Sequence, residues 1–314
     1  MYQVLSTVPM QPVDGHVDAN FEDRDAWVQD QLGATILPIM LGDLDCGPFV
    51  VFSYVEPSEE QMPLSFAHAH ASDNWRISVR GTTNMGTDAY EQGQWRFHDG
   101  GKPYASDNFA WGPDGGYGMI MFGDRRGFAI QPVKPEIAET VTPQQEMAGQ
   151  ALGIDMQDPC PGAPAIQTTM GATSRAHLDG GFDGSSAWDE VGTGVRASTG
   201  ILGEPSGGPV LLFVDAAAGS EVLPARTIGT ESIVVPVSGS IRVSGTELAQ
   251  GDVRLDEADV EHPAVVAGSD GAQVVVLFGD RRALRSALDS DTLAGPIASF
   301  LATTLTDLQA KLAG

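Results

Sequence analysis

Apolar residues in this chain come in short runs, cut every few positions by Gly, Pro, Asp and Asn. Gln94-Trp95-Arg96-Phe97-His98 and Ser240-Ile241-Arg242-Val243-Ser244 alternate polar and apolar side chains with period two. That alternation sends successive side chains to opposite faces of an extended strand. Many short strands divided by turn residues predict an all-β fold. Two stretches break the pattern. Pro143-Gln144-Gln145-Glu146-Met147-Ala148 reads as a short helix within a Pro-, Gln- and Glu-rich segment. Near the C-terminus, Ile297, Phe300, Leu301, Leu305, Leu308 and Leu312 recur at helical spacing behind Pro296, which suits a first helical position. This helix is expected to pack on a barrel or on a partner subunit.

The strand pattern occurs twice. Met119-Ile120-Met121-Phe122-Gly123-Asp124-Arg125-Arg126 returns as Val275-Val276-Leu277-Phe278-Gly279-Asp280-Arg281-Arg282, an offset of 156. Trp75-Arg76-Ile77-Ser78-Val79-Arg80-Gly81 matches Ile233-Val234-Val235-Pro236-Val237-Ser238-Gly239 at an offset of 158. Gly47-Pro48-Phe49-Val50-Val51-Phe52 resembles Gly208-Pro209-Val210-Leu211-Leu212-Phe213. A repeat in a chain of 314 residues implies two domains. The expected division is an N-terminal barrel over 1–133, a linker over 134–165, a C-terminal barrel over 166–283 and a helical segment over 284–314. Closing such strands into barrels removes sheet edges and leaves an interior wide enough for a ligand.

Charge narrows the partners. A net charge of −25 argues against nucleic acid or anionic membrane bound through a positive field. No apolar run reaches the roughly 18 residues of a membrane helix. Met1-Tyr2-Gln3-Val4 opens no secretory signal, so a soluble cytoplasmic protein is expected. Cys46 and Cys160 lie far apart without CxxC spacing and read as incidental thiols.

The candidate chemistry starts at His68-Ala69-His70-Ala71-Ser72-Asp73-Asn74-Trp75, closed by Gly81. Two His one residue apart on a strand share a face, so both imidazoles can enter a barrel. This run resembles the first motif of the cupin superfamily, an HxH followed by Glu and a closing Gly. Gly251 through His262 resembles the second motif, G-(x)5-P-x-G-x-x-H, and Gly93 through Tyr104 is its counterpart in the first copy. The resemblance covers both copies. It implies two tandem cupin-type β-barrels (double-stranded β-helix or jelly roll) with a short linker and a C-terminal helix.

The resemblance also implies a divalent transition metal, Fe, Mn, Ni, Cu or Zn, held by His68 and His70. The motif Glu falls at Asn74 or Trp75, with Asp73 adjacent, and the third His falls at Tyr104. Asp73 and Asn74 are candidates as ligands, supporting partners or turn caps. Tyr104 and His98 are the candidates to complete or tune the site. In the second copy Arg226 and Ile228 take the HxH positions and only His262 survives, so that barrel reads as structural or accessory. His16 and His177 precede the two copies, where a crossing segment would bring one into a neighbouring site. Trp75, Trp95, Trp111, Phe97 and Phe66 are read as core or lining, and Arg125/Arg126 with Arg281/Arg282 as structural ion-pair partners.

The leading expectation is a metal-dependent bicupin enzyme of dioxygenase type, an oxidoreductase acting on a small aromatic or oxygen-rich molecule in the N-terminal barrel. The alternatives are a non-catalytic small-molecule-binding or regulatory cupin, and a non-oxidative lyase, decarboxylase or isomerase. A homodimer through sheet edges is compatible with all three.

Overall fold

The period-two segments form strands, and the apolar positions of each strand select one face of a sheet. The computed structural model describes residues 3–4, 12–20, 27–29, 35–42, 46–55, 66–85, 88–103, 111–152, 154–160, 177–184, 186–204 and 207–313. In the N-terminal half these hold β1 (Gln3–Val4), β2 (His16–Asn20), β3 (Val28–Gln29), β4 (Thr35–Met40), β5 (Phe49–Val55), β6 (His68–His70), β7 (Asn74–Met85), β8 (Asp88–Tyr90), β9 (Gln94–His98), β10 (Trp111–Phe122) and β11 (Ile130–Pro132). Helix α1 (Pro135–Leu152) follows. The C-terminal half holds β12 (His177–Gly181), β13 (Asp189–Gly192), β14 (Val195–Ile201), β15 (Val210–Ala216), β16 (Glu221–Leu223), β17 (Arg226–Thr227), β18 (Ser232–Val243), β19 (Thr246–Ala249), β20 (Asp252–Asp256), β21 (Glu261–His262) and β22 (Val265–Phe278). Helices α2 (Arg281–Asp289) and α3 (Pro296–Ala313) follow β22.

Among the described residues the strands make two nine-stranded sheets, in the orders β1-β4-β5-β10-β7-β9-β12 and β13-β14-β15-β22-β18-β20-β2 with two side pairings each. Two ribbons, β6–β11 and β17–β21, accompany them. The halves exchange strands. β2 leaves the N-terminal half to pair with β20, and β12 leaves the C-terminal half to pair with β9. The stretch expected to open the second copy therefore begins by completing the first sheet.

The two sheets bury one face against each other. Trp75, Ile77 and Val79 of β7 share a core with Ile233, Val235 and Val237 of β18. Trp95 stacks on Phe213 across it, centroids 4.0 Å apart at 7°. The repeat shows in reciprocal bonds: Gln92 Nε2 donates to Val237 O at 3.0 Å, and Gln250 Nε2 donates to Val79 O at 2.8 Å. Gly81 and Gly239 recur for a backbone reason. Both sit at positive φ, +76° and +70°, and a Cβ there would meet Gly115 O at 2.4 Å or Gly271 O at 2.1 Å.

The outward face of the C-terminal sheet is covered by its own helices. Leu212, Val234, Val276 and Phe278 pack with Leu284, Ile297, Leu301 and Leu305. Ile297, Phe300, Leu301, Leu305 and Leu308 of the apolar stripe of α3 are thus spent on the C-terminal half. No described helix is long and apolar enough to cross a membrane.

Two expectations are corrected here. The short helix expected at 143–148 is the middle of α1, which runs 18 residues from Pro135 to Leu152. Pro135 suits a helix start, and the fold tolerates Pro143 inside. The cysteines are not incidental thiols: Cys46 and Cys160 form a disulfide across 114 residues, Cα atoms 4.7 Å apart. Spacing along the chain could not show this, because the path through α1 brings Cys160 back to the turn before β5.

Candidate metal and ligand site

On the N-terminal sheet the face turned away from the shared core is polar. Trp75, Ile77, Trp95 and Phe97 point into that core. Alternation therefore turns Asn74, Arg76, Arg96 and His98 to the other face. The β7–β9 register pairs Asn74 with His98 and Arg76 with Arg96. The β6–β11 ribbon brings His68 and His70 to the same region, because the His70 ring lies 4.7 Å from that of Phe122 on β10. The turn after β9 is tied to the loop after β6. Gly101 N donates to His70 O at 2.7 Å, and Gly100 N donates to Asp73 Oδ1 at 2.8 Å. Asp73 thus holds the turn that positions His98.

The imidazoles are oriented through backbone carbonyls. His68 Nδ1 donates to Phe66 O at 2.9 Å, and His70 Nδ1 donates to Gly127 O at 2.7 Å. A carbonyl only accepts, so in each neutral ring the proton is on Nδ1 and the lone pair on Nε2. The two rings meet edge to face at 5.2 Å. His98 Nε2 donates to Lys102 O at 3.2 Å, which puts its lone pair on Nδ1.

Burial keeps all three rings neutral. It lowers His68 to about 4, aided by the charge of Arg76. Burial again leads in holding His70 well below the ordinary value, with His68, Arg76 and His98 adding to the effect. His98 falls to about 3, by burial and then Arg76. Arg76 is itself lowered to about 9, by burial and by the neighbouring Arg96. Three neutral imidazoles beside a guanidinium form a site with donor lone pairs and positive potential.

The Asn74 carboxamide is buried here without hydrogen bonds. Asn74 is 1% exposed, and neither its Oδ1 nor its Nδ2 has a hydrogen-bond partner. A buried polar group left in that state costs about 1–3 kcal/mol.

The exchanged strand adds residues that sequence reading saw only as outliers. β12 sets His177 opposite His98, rings parallel within 6° and 6.2 Å apart, and Asp179 opposite Arg96. Asp179 Oδ1 accepts from Arg96 Nε at 2.7 Å and from Tyr90 OH at 2.9 Å. β2 repeats this in the other half, with His16 opposite Asp256 and Asp18 at 3.5 Å from Arg254. The signal was present as His16-x-Asp18 and His177-x-Asp179, one ahead of each copy.

In the C-terminal half the equivalent place is closed by charge. Asp256 binds Arg226, and its Oδ1 accepts from Arg254 Nε at 2.8 Å. Ser232 Oγ donates to Asp256 Oδ2 at 3.5 Å, and His262 Nδ1 lies 3.4 Å from Oδ1. His262 is fixed from its other side by donating Nε2–H to Glu257 O at 2.8 Å.

The remaining candidates have other tasks. Arg125 grips Pro48 O at 2.6 Å, and Arg281 grips Pro209 O at 2.8 Å and Leu202 O at 3.1 Å. Arg126 pairs with Asp124 and Arg282 with Asp280. Phe66 lies beside His68, ring centroids 5.4 Å apart. Tyr104 and the Trp111 side chain lie outside the described residues.

The residues present suit a transition metal in part. The Nδ1–H···O=C bonds of His68 and His70 are the orientation that metal-ligating imidazoles need. Among the described residues, the donor group closing within 4.8 Å is Cys46, Asp124 and Cys160, whose sulfurs are joined to each other. No third described donor closes on His68 and His70 at that distance.

No family model matches the sequence, and no curated protein matches it. Among solved structures, two point mutants of Bacillus subtilis oxalate decarboxylase match at 13% identity, with TM-scores of 0.45 and 0.44. Each match covers 83% of this chain and 76% of that one. The structure of the same decarboxylase at pH 4.6 matches at 12% identity and a TM-score of 0.42, covering 83% of this chain and 75% of that one.

Proposed function

We propose that the chain is a tandem cupin with one working centre, in the N-terminal half, and that it is a metal-dependent enzyme acting on a small molecule. The supporting observation is the pair of neutral imidazoles, His68 and His70, each with Nδ1–H fixed on a backbone carbonyl. They would hold Fe, Mn, Ni, Cu or Zn in its divalent state through Nε2. Such a metal supplies Lewis-acid or redox activation of a bound small molecule. The chain's own residues do the rest. Gly127 and Phe66 keep the imidazoles in the binding tautomer, Arg76 supplies positive potential, and His98 faces the bound molecule from β9.

The test is metal content of the purified protein with His68→Ala and His70→Ala as controls. Near-stoichiometric metal in the parent and its loss in both variants is expected. Equal content in all three would refute the assignment. Oxygen uptake with hydroxylated aromatics then separates the oxidative, dioxygenase-type reaction from non-oxidative lyase, decarboxylase or isomerase chemistry. A second reading, ligand binding without catalysis, is favoured by the missing third donor among the described residues. It predicts saturable binding with no turnover after metal loading.

Partners on this reading are small molecules rather than nucleic acid or membrane, and a homodimer is tested by sedimentation. The Cys46–Cys160 disulfide fits an oxidising compartment better than the expected cytoplasm. Alkylation of the protein on extraction, before oxidation in air, decides this.

A further inference from the structure

The Cys46–Cys160 bond pins the half that carries His68 and His70, and the repeat shows that the scaffold does not need it. In the N-terminal half the turn before β5 is closed by Leu41 N donating to Pro48 O at 3.0 Å. Buried Arg125 grips both ends of that turn, Pro48 O at 2.6 Å and Leu41 O at 3.4 Å. The C-terminal half builds the same turn without a crosslink. Leu202 N donates to Pro209 O at 3.3 Å, and Arg281 grips Pro209 O and Leu202 O. At the offset of 161 that aligns these turns, Gly207 stands in place of Cys46. At the offset of 158, Ile228 stands in place of His70. The crosslink and the imidazole thus occur in the same copy. A short chain of contacts joins them. Arg125 opens a single-turn helix, Arg125–Phe128, and Gly127 O of that turn accepts from His70 Nδ1 at 2.7 Å. Asp124 caps the turn by accepting from Arg126 N at 3.0 Å, and its carboxylate lies within 4.8 Å of both sulfurs. Phe49, next to Pro48, stacks on Phe122 at 4.5 Å, and Phe122 lies 4.7 Å from the His70 ring. Cys160 follows α1, which leaves β11, and β11 pairs with β6, the strand of His70. The bond therefore joins the turn that Arg125 holds to the segment that continues from the strand paired with His70.

We propose that the Cys46–Cys160 disulfide is a redox control on the N-terminal site. Oxidised, it holds the Arg125–Phe128 turn where Gly127 O fixes His70; reduced, it releases that turn and frees the His70 ring. Arg125 is the positioning residue, acting on His70 through Gly127. Reduction is thiol–disulfide exchange with a dithiol. A thiolate of the dithiol attacks the sulfur of Cys46, the partly exposed member, and forms a mixed disulfide. Cys160 leaves as a thiolate and takes a proton. The second sulfur of the reductant, as its thiolate, then displaces Cys46, which takes a proton in turn. The protein gains two electrons and two protons, and the reductant ends as a disulfide. Oxidation is the reverse, with a disulfide as the oxidant. Loss of the orienting carbonyl costs His70 its fixed ring and tautomer, and support of this kind is worth roughly 10- to 100-fold in metal affinity. His68 keeps its own bond to Phe66 O, so metal binding is weakened rather than abolished. The proposal rests on His68 and His70 being the working centre.

The experiment uses the full chain with isotope-labelled histidine, stripped of metal, first oxidised and then reduced with dithiothreitol. Ring-nitrogen NMR reads the tautomer of each imidazole. In the oxidised protein His70 should show the fixed Nδ1–H form. On reduction its nitrogen shifts should move towards tautomer averaging, and its Nδ1–H should exchange with solvent about tenfold faster or more. His262, held on Glu257 O in the other half, should stay unchanged. Mn²⁺ is the metal probe, because it has little preference for the thiols that reduction creates. Its dissociation constant, followed by electron paramagnetic resonance, should rise about tenfold or more on reduction and return on reoxidation. Serine at both cysteines should reproduce the reduced state. Arg125→Lys keeps the disulfide but cannot hold both carbonyls in one fork. It should loosen His70 with the bond intact, and it carries the test should the forms without the crosslink unfold. The proposal is overturned if His70 exchange and Mn²⁺ affinity stay within about twofold between the two redox states. It is overturned equally if His262 changes as much as His70, or if Arg125→Lys leaves His70 fixed. Metal content of the oxidised parent is read separately. The metal assignment can therefore fail while the His70 tautomer still decides the redox control, and the reverse.

Discussion

The two halves share a scaffold and differ in what they bury on its outer face. The C-terminal half fills that face with Leu212, Val234, Val276 and Phe278, seals it with α2 and α3, and closes its polar corner with Asp256 between Arg226 and Arg254. Among the described residues the N-terminal half has a smaller apolar patch, Met40, Phe49 and Phe122, and beside it three neutral histidines, Arg76 and an unsatisfied asparagine. One half has spent its interior on stability. The other holds polar groups whose burial costs free energy unless something binds them. The difference teaches how a diverged repeat can refill one corner: with ion pairs around Asp256 in one copy, and with neutral imidazoles and a buried carboxamide in the other.

The sharpest way to break this comparison is to remove matched residues. Asp256→Ala leaves the buried Arg226 guanidinium without its carboxylate and Arg254 with only Asp18 at 3.5 Å, and should cost about 3–5 kcal/mol in denaturant unfolding. His98→Ala, at the equivalent position, removes a neutral ring and should cost clearly less. Equal losses would mean that the halves are not specialised as described.

Reduction comes next. Serine at both Cys46 and Cys160 should lower stability by about 2–4 kcal/mol, because the crosslink restricts a long loop of the unfolded chain. The disulfide clasps the N-terminal half alone, so hydrogen exchange should quicken in β5 and β6 more than in β15 and β18.

Acid should also separate the halves. The unfolded chain protonates His68 and His98 near 6.5, while the folded chain resists until about 4 and about 3. The unfolded state then binds more protons, so this contribution to stability is intact above pH 6.5 and is lost as pH falls towards 4. Each imidazole adds a slope of about 1.4 kcal/mol per pH unit in that window. Replacing His98 with Gln should flatten the measured slope by about that amount, and an unchanged slope would show that the ring is not held neutral.

The smallest effect sharpens the comparison from the other direction. Asn74→Leu, close in volume, should raise stability by up to about 1–2 kcal/mol, since it removes an unsatisfied buried group. A loss of stability would place Asn74 among structural residues.

Much of this was legible in the chain itself. Period-two runs and turn residues specify strands, and the match of residues 119–126 to 275–282 specifies the repeat, because both signals are local. The His68-x-His70 pair shares a face for the same reason, and the erosion of the second copy at Arg226 and Ile228 shows directly in its residues. Three features depended on the tertiary path. The crossing of β2 and β12 unites residues that are far apart in the chain and come from opposite copies, such as Asp18 with Arg254 and Asp179 with Arg96. The Cys46–Cys160 bond depends on where α1 returns the chain. The unsatisfied state of Asn74 depends on every neighbour at once. Periodicity determines which face a side chain takes. Only packing decides what that face meets, since hydrogen bonds, burial and charge are set by groups that the sequence does not keep adjacent.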